Sequence, residues 1–297
     1  MQEKFLFICN DIGAAEQISN YIKFNKIKNF CTILSKTAEK IFRKNQVRIK
    51  SFNKNQIKFI EVIFTGTSWR NKNEIQFIKK YKSKKKIITF LDEVSNLKKR
   101  FYYEKKYFYP DEIWVPRGIN FPFNKKIYPK KIILKSIKNY YFHYFKKNIK
   151  KVRKPKLFSN NYLYLTQANE KTNKFFGIKT KKNEKSFLVK FLIELNKNNY
   201  NFNVTIRPHP SEHKNKYNYL IKKFNHLNLK LSNNSLFTDL KKNFNVIGYN
   251  SNALRLAYLN KNKVFSMADK KTISFFFGKK NVLSFRDLIK YIKVKKI

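Results

Sequence analysis

Residues 203–210 read NVTIRPHP, and residues 246–253 read VIGYNSNA. Each stretch begins as a short apolar strand and ends in a polar turn. In the first, Arg207 is followed by a turn in which prolines flank His209; proline rings block a helix and restrict the preceding residue. In the second, the turn runs directly into the helix-like segment LRLAYL at 254–259. Ligands of open α/β sheets bind at the carboxyl ends of strands, so both turns predict a ligand site.

The alternation of short strands and longer helices extends outward from these turns. In the C-terminal half we predict strands at residues 161–166, 203–207, 227–231, 244–248 and 263–265, helices at 186–195, 213–224, 235–242 and 252–260, and a capping box at 284–287 that opens a last helix. In the N-terminal half we predict strands at residues 4–9, 31–34, 58–64, 86–91 and 112–115, and helices at 12–24 and 71–81. This alternation indicates mostly parallel sheets with helices on both faces.

Residues 132–158 interrupt the alternation. They contain the aromatic run YYFHYF at 140–145 and a lysine-rich stretch that ends at Pro155. We predict an aromatic helix and a basic linker at residues 136–158, between an N-terminal domain of residues 1–135 and a C-terminal domain of residues 159–297. An aromatic and basic helix could touch a membrane surface, but we favour packing between the domains.

The chain carries 67 Lys and Arg against 18 Asp and Glu, a formal net charge of +49. Such a charge is typical of nucleic-acid-binding proteins. However, Lys, Asn, Ile, Phe and Tyr are all abundant, and the lysines are spread over every segment, whereas a polyanion site usually clusters Arg. We therefore favour drift in base composition as the cause and do not expect a nucleic-acid partner. The surface will still attract acidic lipid head groups, so peripheral contact with an anionic inner membrane is a further expectation.

Several classes of protein are excluded. A hydrophobic content of 42% is too high for a disordered chain. Two cysteines, Cys9 and Cys31, give no disulfide framework. The histidines show no metal-ligand spacing, so we expect no bound metal and no cofactor. No apolar run reaches the roughly 20 residues of a membrane span, and the first residues show no signal peptide, which predicts a cytoplasmic protein.

The turn at residues 248–252 suits a phosphate group. Gly248, Asn250, Ser251 and Asn252 lie where a strand gives way to a helix, and a helix N-terminus offers free N–H groups and a partial positive charge. Ser251 adds a hydroxyl donor. The alternative is that Asn250 or Ser251 merely caps the helix, which is compatible with phosphate binding.

The side chains at the end of the strand 203–207 are also phosphate donors. Arg207 and His209 stand at the edge of the predicted sheet, and both side chains can donate to phosphate oxygens. The alternative is a turn with a solvated histidine.

Acidic residues are scarce, so the pair Asp92 and Glu93 at the end of a predicted strand is notable. A carboxylate there could serve as a general base that takes the proton of an attacking hydroxyl. The alternative is a cap at the start of a helix. Asp11, just before the first glycine turn, is the competing base. The pair at residues 111–112 precedes a strand, and we interpret it as structural or as a partner of Arg100.

The motifs RPHP at 207–210 and GYNSNA at 248–253 resemble the C-terminal domain of GT-B glycosyltransferases. The resemblance is to bacterial surface-polysaccharide transferases: sialyltransferase- and polysialyltransferase-like enzymes with a His-Pro motif and a later serine motif, and capsule transferases with Arg-Pro-His-Pro. In the N-terminal half, FLDEVSN at 90–96, KRF at 99–101 and PDEIWV at 110–115 are similar to patterns of the same transferases, and the turns at residues 11–15 and 66–69 fit as loops that face a cleft.

This resemblance implies an α/β GT-B fold of two facing Rossmann-like domains with mostly parallel sheets. It implies a metal-independent glycosyltransferase that moves a sugar from a nucleotide-sugar donor to a glycan or glycolipid acceptor, in lipopolysaccharide or capsule synthesis. The implied donor contacts are Arg207, His209, Gly248, Asn250, Ser251 and Asn252; the acceptor-side loops are Gly13, Gly66, Thr67 and Ser68; the catalytic candidates are Asp92, Asp11 and His209. The alternatives are a nucleotide-sugar 2-epimerase-like enzyme and a non-enzymatic protein that binds nucleic acid or another polyanion.

Overall fold

The computed structural model describes residues 2–68, 71–92, 97–118, 121, 127–149, 160–167, 184–197, 202–210, 212–249, 251–268 and 282–294. The chain divides into two compact units, Met1–Phe145 and Lys146–Ile297. Each unit contains one six-stranded sheet. Of the predicted aromatic helix and linker, residues 150–158 lie outside the described part of the chain.

In the N-terminal unit all strand pairs of the six-stranded sheet are parallel. The strands are β1 (Phe5–Cys9), β2 (Phe30–Leu34), β3 (Val62–Thr65), β4 (Lys86–Phe90), β7 (Glu112–Pro116) and β8 (Ile133–Ile137), with β5 (Tyr102–Tyr103) and β6 (Lys106–Tyr107) forming a separate hairpin. The helices are α1 (Ile12–Phe24), α2 (Lys36–Lys44), α3 (Asn73–Tyr81) and α4 (Tyr140–Ile149). The strand order is β2-β1-β3-β4-β7-β8.

The core of this unit forms around β1, whose sequence FLFIC is apolar at every position because both faces of the strand are covered. Phe7 of β1 stacks on Phe64 of β3 with ring centroids 4.8 Å apart. On one side α1 packs closely, since its small residues Ala14 and Ala15 are fully buried. This packing brings the first turn of α1 close to the carboxyl ends of the strands.

The aromatic helix α4 packs against α1. The ring of Tyr140 lies 5.2 Å from that of Tyr21, the ring of His143 lies 5.4 Å from that of Phe24, and Phe145 is fully buried. We expected packing between domains; these ring contacts lie instead within the N-terminal unit. Among the described residues, no helix has the length and apolar character needed to cross a membrane.

The C-terminal unit also contains an all-parallel sheet. Its strands are β9 (Asn161–Leu165), β10 (Asn203–Arg207), β11 (Asn228–Leu231), β12 (Asn245–Gly248), β13 (Lys263–Ser266) and β14 (Leu283–Ser284), and its helices are α5 (Glu184–Lys197), α6 (Asn218–Lys223), α7 (Leu236–Lys242), α8 (Asn252–Leu259) and α9 (Phe285–Val294). The order is β11-β10-β9-β12-β13-β14. The predicted capping box is confirmed: Ser284 N–H donates to Asp287 Oδ2 at 2.8 Å, and Asp287 N–H donates to Ser284 Oγ at 3.3 Å.

Some predicted elements were wrong. The strand predicted from residue 58 begins only at Val62, because Lys54–Lys58 form a 3-10 helix. Strand β8 lies at residues where we predicted the aromatic helix and the end of the N-terminal domain; it is an edge strand with mostly exposed side chains, so it lacks a continuous apolar signal. Helix α2 was not predicted, since its sequence KTAEKIFRK buries only Ala38 and Phe42. The helix predicted at 213–224 is a 3-10 turn followed by the short α6.

Each sheet has one point at which the connections reverse direction. In the N-terminal unit the chain passes from β1 to β2 on one side and then to β3 on the other, so the reversal lies between β1 and β3. In the C-terminal unit it lies between β9 and β12. A crevice opens at the carboxyl ends of the strands at such a point, and ligands of open α/β sheets bind there.

Candidate functional site

The carboxylate of Asp92 follows β4 and is held by an arginine and a threonine. Asp92 Oδ1 accepts a hydrogen bond from Thr67 Oγ1 at 3.2 Å and lies 3.4 Å from Arg100 Nη1. Arg100 Nη1 donates to Thr67 Oγ1 at 2.7 Å. The Arg100 side chain is 5% exposed and that of Asp92 is 16% exposed. The structure therefore brings together two predicted site residues, Asp92 and Thr67, through a buried cation.

The proposed pairing of Arg100 with residues 111–112 is wrong. Glu112 accepts from Lys86 Nζ at 2.7 Å, from Lys135 Nζ at 2.8 Å and from Trp114 Nε1 at 2.8 Å. Burial alone would raise the pKa of Glu112, but these hydrogen bonds outweigh it and lower the pKa to about 2. Asp111 Oδ2 accepts the N–H of Ile87. The structural interpretation of this pair is confirmed.

The first turn of α1 approaches Asp92 closely. A Cβ at Gly13 would lie 2.1 Å from Asp92 Oδ2, so only glycine leaves room for the carboxylate. Asp11 occupies the N-cap position of α1, yet its side chain makes no capping hydrogen bond. The predicted residues Asp11 and Gly13 thus belong to the same edge of the sheet as Asp92.

A further carboxylate, Glu74, was missed. It lies in the first turn of α3 and is 2% exposed. Its Oε1 accepts the N–H of Asn10 at 3.1 Å, and its Oε2 accepts the N–H of Ser68 at 2.5 Å. Gly66 leaves room for it, because a Cβ there would lie 2.7 Å from Glu74 Oε1. The sequence does not distinguish Glu74 as a site residue, because acidic residues are common in the first turn of a helix, where they interact favourably with the helix dipole.

The electrostatics of this edge are unusual for so basic a chain. Burial, followed by the nearby charges of Asp11 and Asp92, raises the pKa of Glu74 from 4.5 to about 8, although the hydrogen bonds from Ser68 and Asn10 act in the opposite direction. Burial also raises the pKa of the Cys9 thiol, and the same carboxylates add to the effect. The carboxyl group of Glu74 therefore interacts with those of Asp11 and Asp92 at the carboxyl edge of the N-terminal sheet.

In the C-terminal unit, the turn that contains His209 is tied to the end of β9. The backbone N–H of His209 donates to Thr166 Oγ1 at 2.8 Å and to Glu212 Oε2 at 3.0 Å. Thr166 Oγ1 donates to Glu212 Oε2 at 2.5 Å. Burial raises the pKa of Glu212, but hydrogen bonds from Lys216, Thr166 and His209 outweigh it, and the net pKa is lowered. The carboxylate of Glu212 thus fixes the half-buried His209 beside the reversal point of the sheet.

Arg207 makes an ion pair that the sequence did not reveal. Its Nη1 lies 2.7 Å from Asp239 Oδ2, and Asp239 is 1% exposed. The same Nη1 donates to the carbonyl oxygen of Asn234 at 2.6 Å, while Ser232 Oγ donates to Asp239 Oδ2 at 2.5 Å. Arg207 therefore joins the end of β10 to the first turn of α7, and phosphate binding by its remaining N–H groups stays a prediction.

The residues after β12 lie at the reversal point. Gly248 ends the strand, and a Cβ there would come within 3.4 Å of Leu165 at the end of β9. Ser251 Oγ accepts the N–H of Leu254 at 3.2 Å, so Ser251 caps α8 as the sequence suggested. Asn252 is exposed at the first position of that helix, and Asn250 lies outside the described residues. Contact of these residues with a donor stays a prediction.

Among the residues that the structure describes, no group of three or more His, Cys, Asp or Glu side chains could hold a metal ion.

No protein-family model matches the chain, and no curated protein matches it. The structure is similar to the UDP-GlcNAc 2-epimerase from Methanocaldococcus jannaschii, with 11% identity and a TM-score of 0.57 over 99% of this chain and 92% of that one. It is also similar to the glycotransferase of kitacinnamycin, with 6% identity and a TM-score of 0.53 over 99% and 91% of the two chains. MurG of Acinetobacter baumannii gives 5% identity and a TM-score of 0.49 over 99% and 90%.

At identities this low, the likeness concerns the fold alone. The two parallel sheets, together with the likeness to the epimerase and to the kitacinnamycin glycotransferase, confirm the predicted α/β GT-B fold of two Rossmann-like domains.

Proposed function

We propose that the protein is a GT-B glycosyltransferase that takes a sugar from a nucleotide-sugar donor bound by the C-terminal unit. The acceptor hydroxyl belongs to a glycan or glycolipid bound at the carboxyl edge of the N-terminal sheet. The observation that supports the proposal is that one motif turn follows β12 at the reversal point of the C-terminal sheet, while the other follows β10, the neighbour of β9, at the same edge. Open α/β sheets bind their ligands at this edge.

Several groups suited to a diphosphate lie along that edge of the sheet. Helix α8 begins directly after β12 and presents its N-terminus there, which favours an anion. The turn of His209 is tied by Thr166 to the adjoining strand β9, so its imidazole is held at the same edge. A leaving diphosphate would gain charge during sugar transfer, and fixed donors of this kind stabilise such charge without a metal ion.

The N-terminal unit supplies the base. Asp92 stands at the end of β4 with its carboxylate fixed by Thr67 and Arg100, and Gly13 leaves it room. A carboxylate positioned in this way can take the proton of an acceptor hydroxyl by geometry. Asp11, at the same edge, is the reserve for this role.

The biological setting of the proposal rests on the RPHP and GYNSNA motifs. They support an acceptor in lipopolysaccharide or capsule synthesis, at the cytoplasmic face of an inner membrane. The net charge of +49 supports a peripheral attraction to anionic lipid there.

Nucleotide binding is the first test. Thermal unfolding is followed with CMP, UDP, GDP and CDP compounds, and one of them should raise the unfolding temperature, because a ligand of the native state stabilises it by mass action. The variant Ser251→Asp keeps a good N-cap residue but places a carboxylate where phosphate is expected, so it should abolish the effect. The matched control is Ser235→Asp, since Ser235 caps α7 of the same unit in the same way. Equal ligand effects in the two variants would remove the phosphate site from this turn.

Transfer is the second test, carried out with the donor found in that screen. His209→Ala should lose transfer while its circular dichroism spectrum is unchanged, because the turn is held by the backbone N–H of residue 209 and not by the imidazole alone. Asp92→Asn should keep donor binding and lose transfer. Full turnover in the Asp92 variant would move the base to another residue.

A second candidate is a nucleotide-sugar 2-epimerase-like enzyme. It is favoured by the carboxyl group of Glu74, which interacts with Asp11 and Asp92 and has a pKa of about 8, so that it can exchange a proton near neutral pH. An epimerase converts the nucleotide sugar in the absence of any acceptor. Product formed from donor alone would favour this candidate, whereas a strict need for an acceptor favours transfer.

A further inference from the structure

We propose that Glu74 is a positioning residue of the N-terminal site, whose buried carboxyl group sets the loops after β1 and β3 by accepting one backbone N–H from each. The proposal rests on the proposed function for the reaction that these loops serve, while the positioning itself is a property of the folded chain.

The geometry of Glu74 joins two loops that are far apart in sequence. Oε1 accepts from Asn10, the residue after β1, and Oε2 accepts from Ser68 in the loop after β3. These strands are neighbours in the sheet, and the reversal of its connections lies between them. One side chain therefore fixes the separation of the two loops at the place where a ligand of this sheet would bind.

The two loops in turn place the groups that the proposed reaction needs. The first loop leads through Asp11 into the turn of Gly13, against which the carboxylate of Asp92 packs. The second loop contains Thr67, whose hydroxyl donates to Asp92. A shift of either loop would move a direct neighbour of the Asp92 carboxylate.

Asn10 adds an independent observation. Its side chain is 6% exposed, and its Nδ2 is a buried donor without a hydrogen-bond partner among the described residues. Its main chain, by contrast, is held on both sides, because Glu74 accepts its N–H and its carbonyl oxygen accepts from Ser35 Oγ at 2.7 Å. A buried donor that is kept in place by its backbone and left unpaired is typical of a functional position.

Only a carboxyl group suits the two amides. Two N–H donors point at the two oxygens of Glu74, and a glutamine would place an NH2 group opposite one of them. The charged or titratable groups that interact with Glu74 are Cys9 and Asp11 beside β1 and Asp92 after β4, whose own partner is Arg100. Burial and the neighbouring carboxylates raise the pKa of Glu74 to about 8, so a proton remains on this group at neutral pH.

Hydrogen exchange tests the positioning without any substrate. In Glu74→Gln at least one of the amides of Asn10 and Ser68 should exchange about tenfold faster than in the unaltered protein, because the glutamine oxygen can accept only one of them and roughly one hydrogen bond is lost. The control is Glu16→Gln, because Glu16 is also buried in the same unit but accepts hydrogen bonds from the side chains of Lys44 and Asn45. Unchanged exchange at both amides in a folded Glu74→Gln would overturn the proposal.

A second measurement, made on the unaltered protein, tests the proposal even if Glu74→Gln does not fold. In the unaltered protein, protection of the Asn10 and Ser68 amides, corrected for the intrinsic rate, should fall by up to about 100-fold between pH 6 and pH 9, because opening that exposes Glu74 to water is favoured when its carboxyl group can ionise there. Protection at these two amides that does not change with pH would also overturn the proposal.

Kinetics and donor binding in Glu74→Gln distinguish the positioning role from the proposed function. Once a donor is known, Glu74→Gln should lower kcat for transfer and change its pH profile, while the stabilisation by donor, which binds the other unit, stays as in the unaltered protein. Loss of donor stabilisation in Glu74→Gln would contradict a role confined to the N-terminal site. Should no nucleotide sugar bind at all, the proposed function fails, and the exchange result still decides the positioning.

Discussion

The buried Glu74 makes a strong prediction about stability and pH. Its pKa is raised from the ordinary glutamate value of 4.5 to about 8 in the folded chain. Between these two pH values the folded state keeps a proton that the unfolded chain has released. Folding stability therefore falls as pH rises through this window, and the contribution of the group is fully present only below about pH 4.5. Replacement by glutamine removes the titration and with it this pH dependence.

The size of the effect follows from the two pKa values. Between pH 4.5 and pH 8, each rise of one pH unit lowers the free energy of unfolding by up to about 1.4 kcal/mol. From pH 5 to pH 7.5, with the slope reduced near either end of the window, the total comes to about 3 kcal/mol. In Glu74→Gln the free energy of unfolding is lowered by about 1–3 kcal/mol at every pH, because one backbone amide loses its acceptor. Relative to the unaltered protein, the variant should thus be least stable at pH 5 and should recover as pH rises.

Urea unfolding from pH 5 to pH 7.5 measures this difference. Both tryptophans of the chain, Trp69 and Trp114, belong to the N-terminal unit, so their fluorescence reports the unit that contains Glu74. Glu39→Gln is the control, since Glu39 pairs with Arg43 at the surface and should change stability by less than about 1 kcal/mol at every pH. A stability difference between Glu74→Gln and the unaltered protein that is the same at pH 5 and pH 7.5 would refute the reasoning.

Other predictions follow from single contacts. Gly13→Ala should lower kcat about 100-fold, because the new Cβ would lie 2.1 Å from Asp92 Oδ2 and must displace that carboxylate by about 1 Å; the helix itself should tolerate alanine, so wild-type activity with an intact fold would contradict the placement of Asp92. Asp239→Asn should lower the free energy of unfolding, measured with urea, by about 2 kcal/mol, because it leaves Arg207 with a neutral partner. This value lies between those typical for the loss of a surface ion pair and of a buried one. Ser251→Ala should cost about 1 kcal/mol through the lost cap of α8, and no measurable loss would mean that the cap is not formed.

Much of the architecture was predictable from the residues. The runs at β1, β9, β10 and β12 are short and mostly apolar, as in strands covered on both faces, and their alternation with helices indicates parallel sheets. Local signals such as the serine before α8 and the capping box before α9 also held, because capping involves only residues three positions apart.

Elements with weak local signals escaped prediction. Strand β8 is an edge strand with exposed side chains, and helix α2 buries only two residues, so neither leaves a clear apolar period. Both are stabilised by what they pack against. The buried carboxylates Glu74 and Asp239 were missed for a related reason, since nothing in their sequence neighbourhoods distinguishes them from solvated first-turn acids.

By itself the sequence determined the α/β class, the positions of most strands, and the polar turns at the ends of β4, β10 and β12. Only the tertiary structure decided which of these turns meet. The carboxylate of Asp92 packs on Gly13, far away in sequence, because β1, β3 and β4 lie side by side and α1 packs over them. Strand order is set by pairing between residues that are far apart in sequence, and no local sequence pattern encodes it. The partners of Asp92, Arg207 and Glu74 therefore follow from the tertiary structure and not from the sequence.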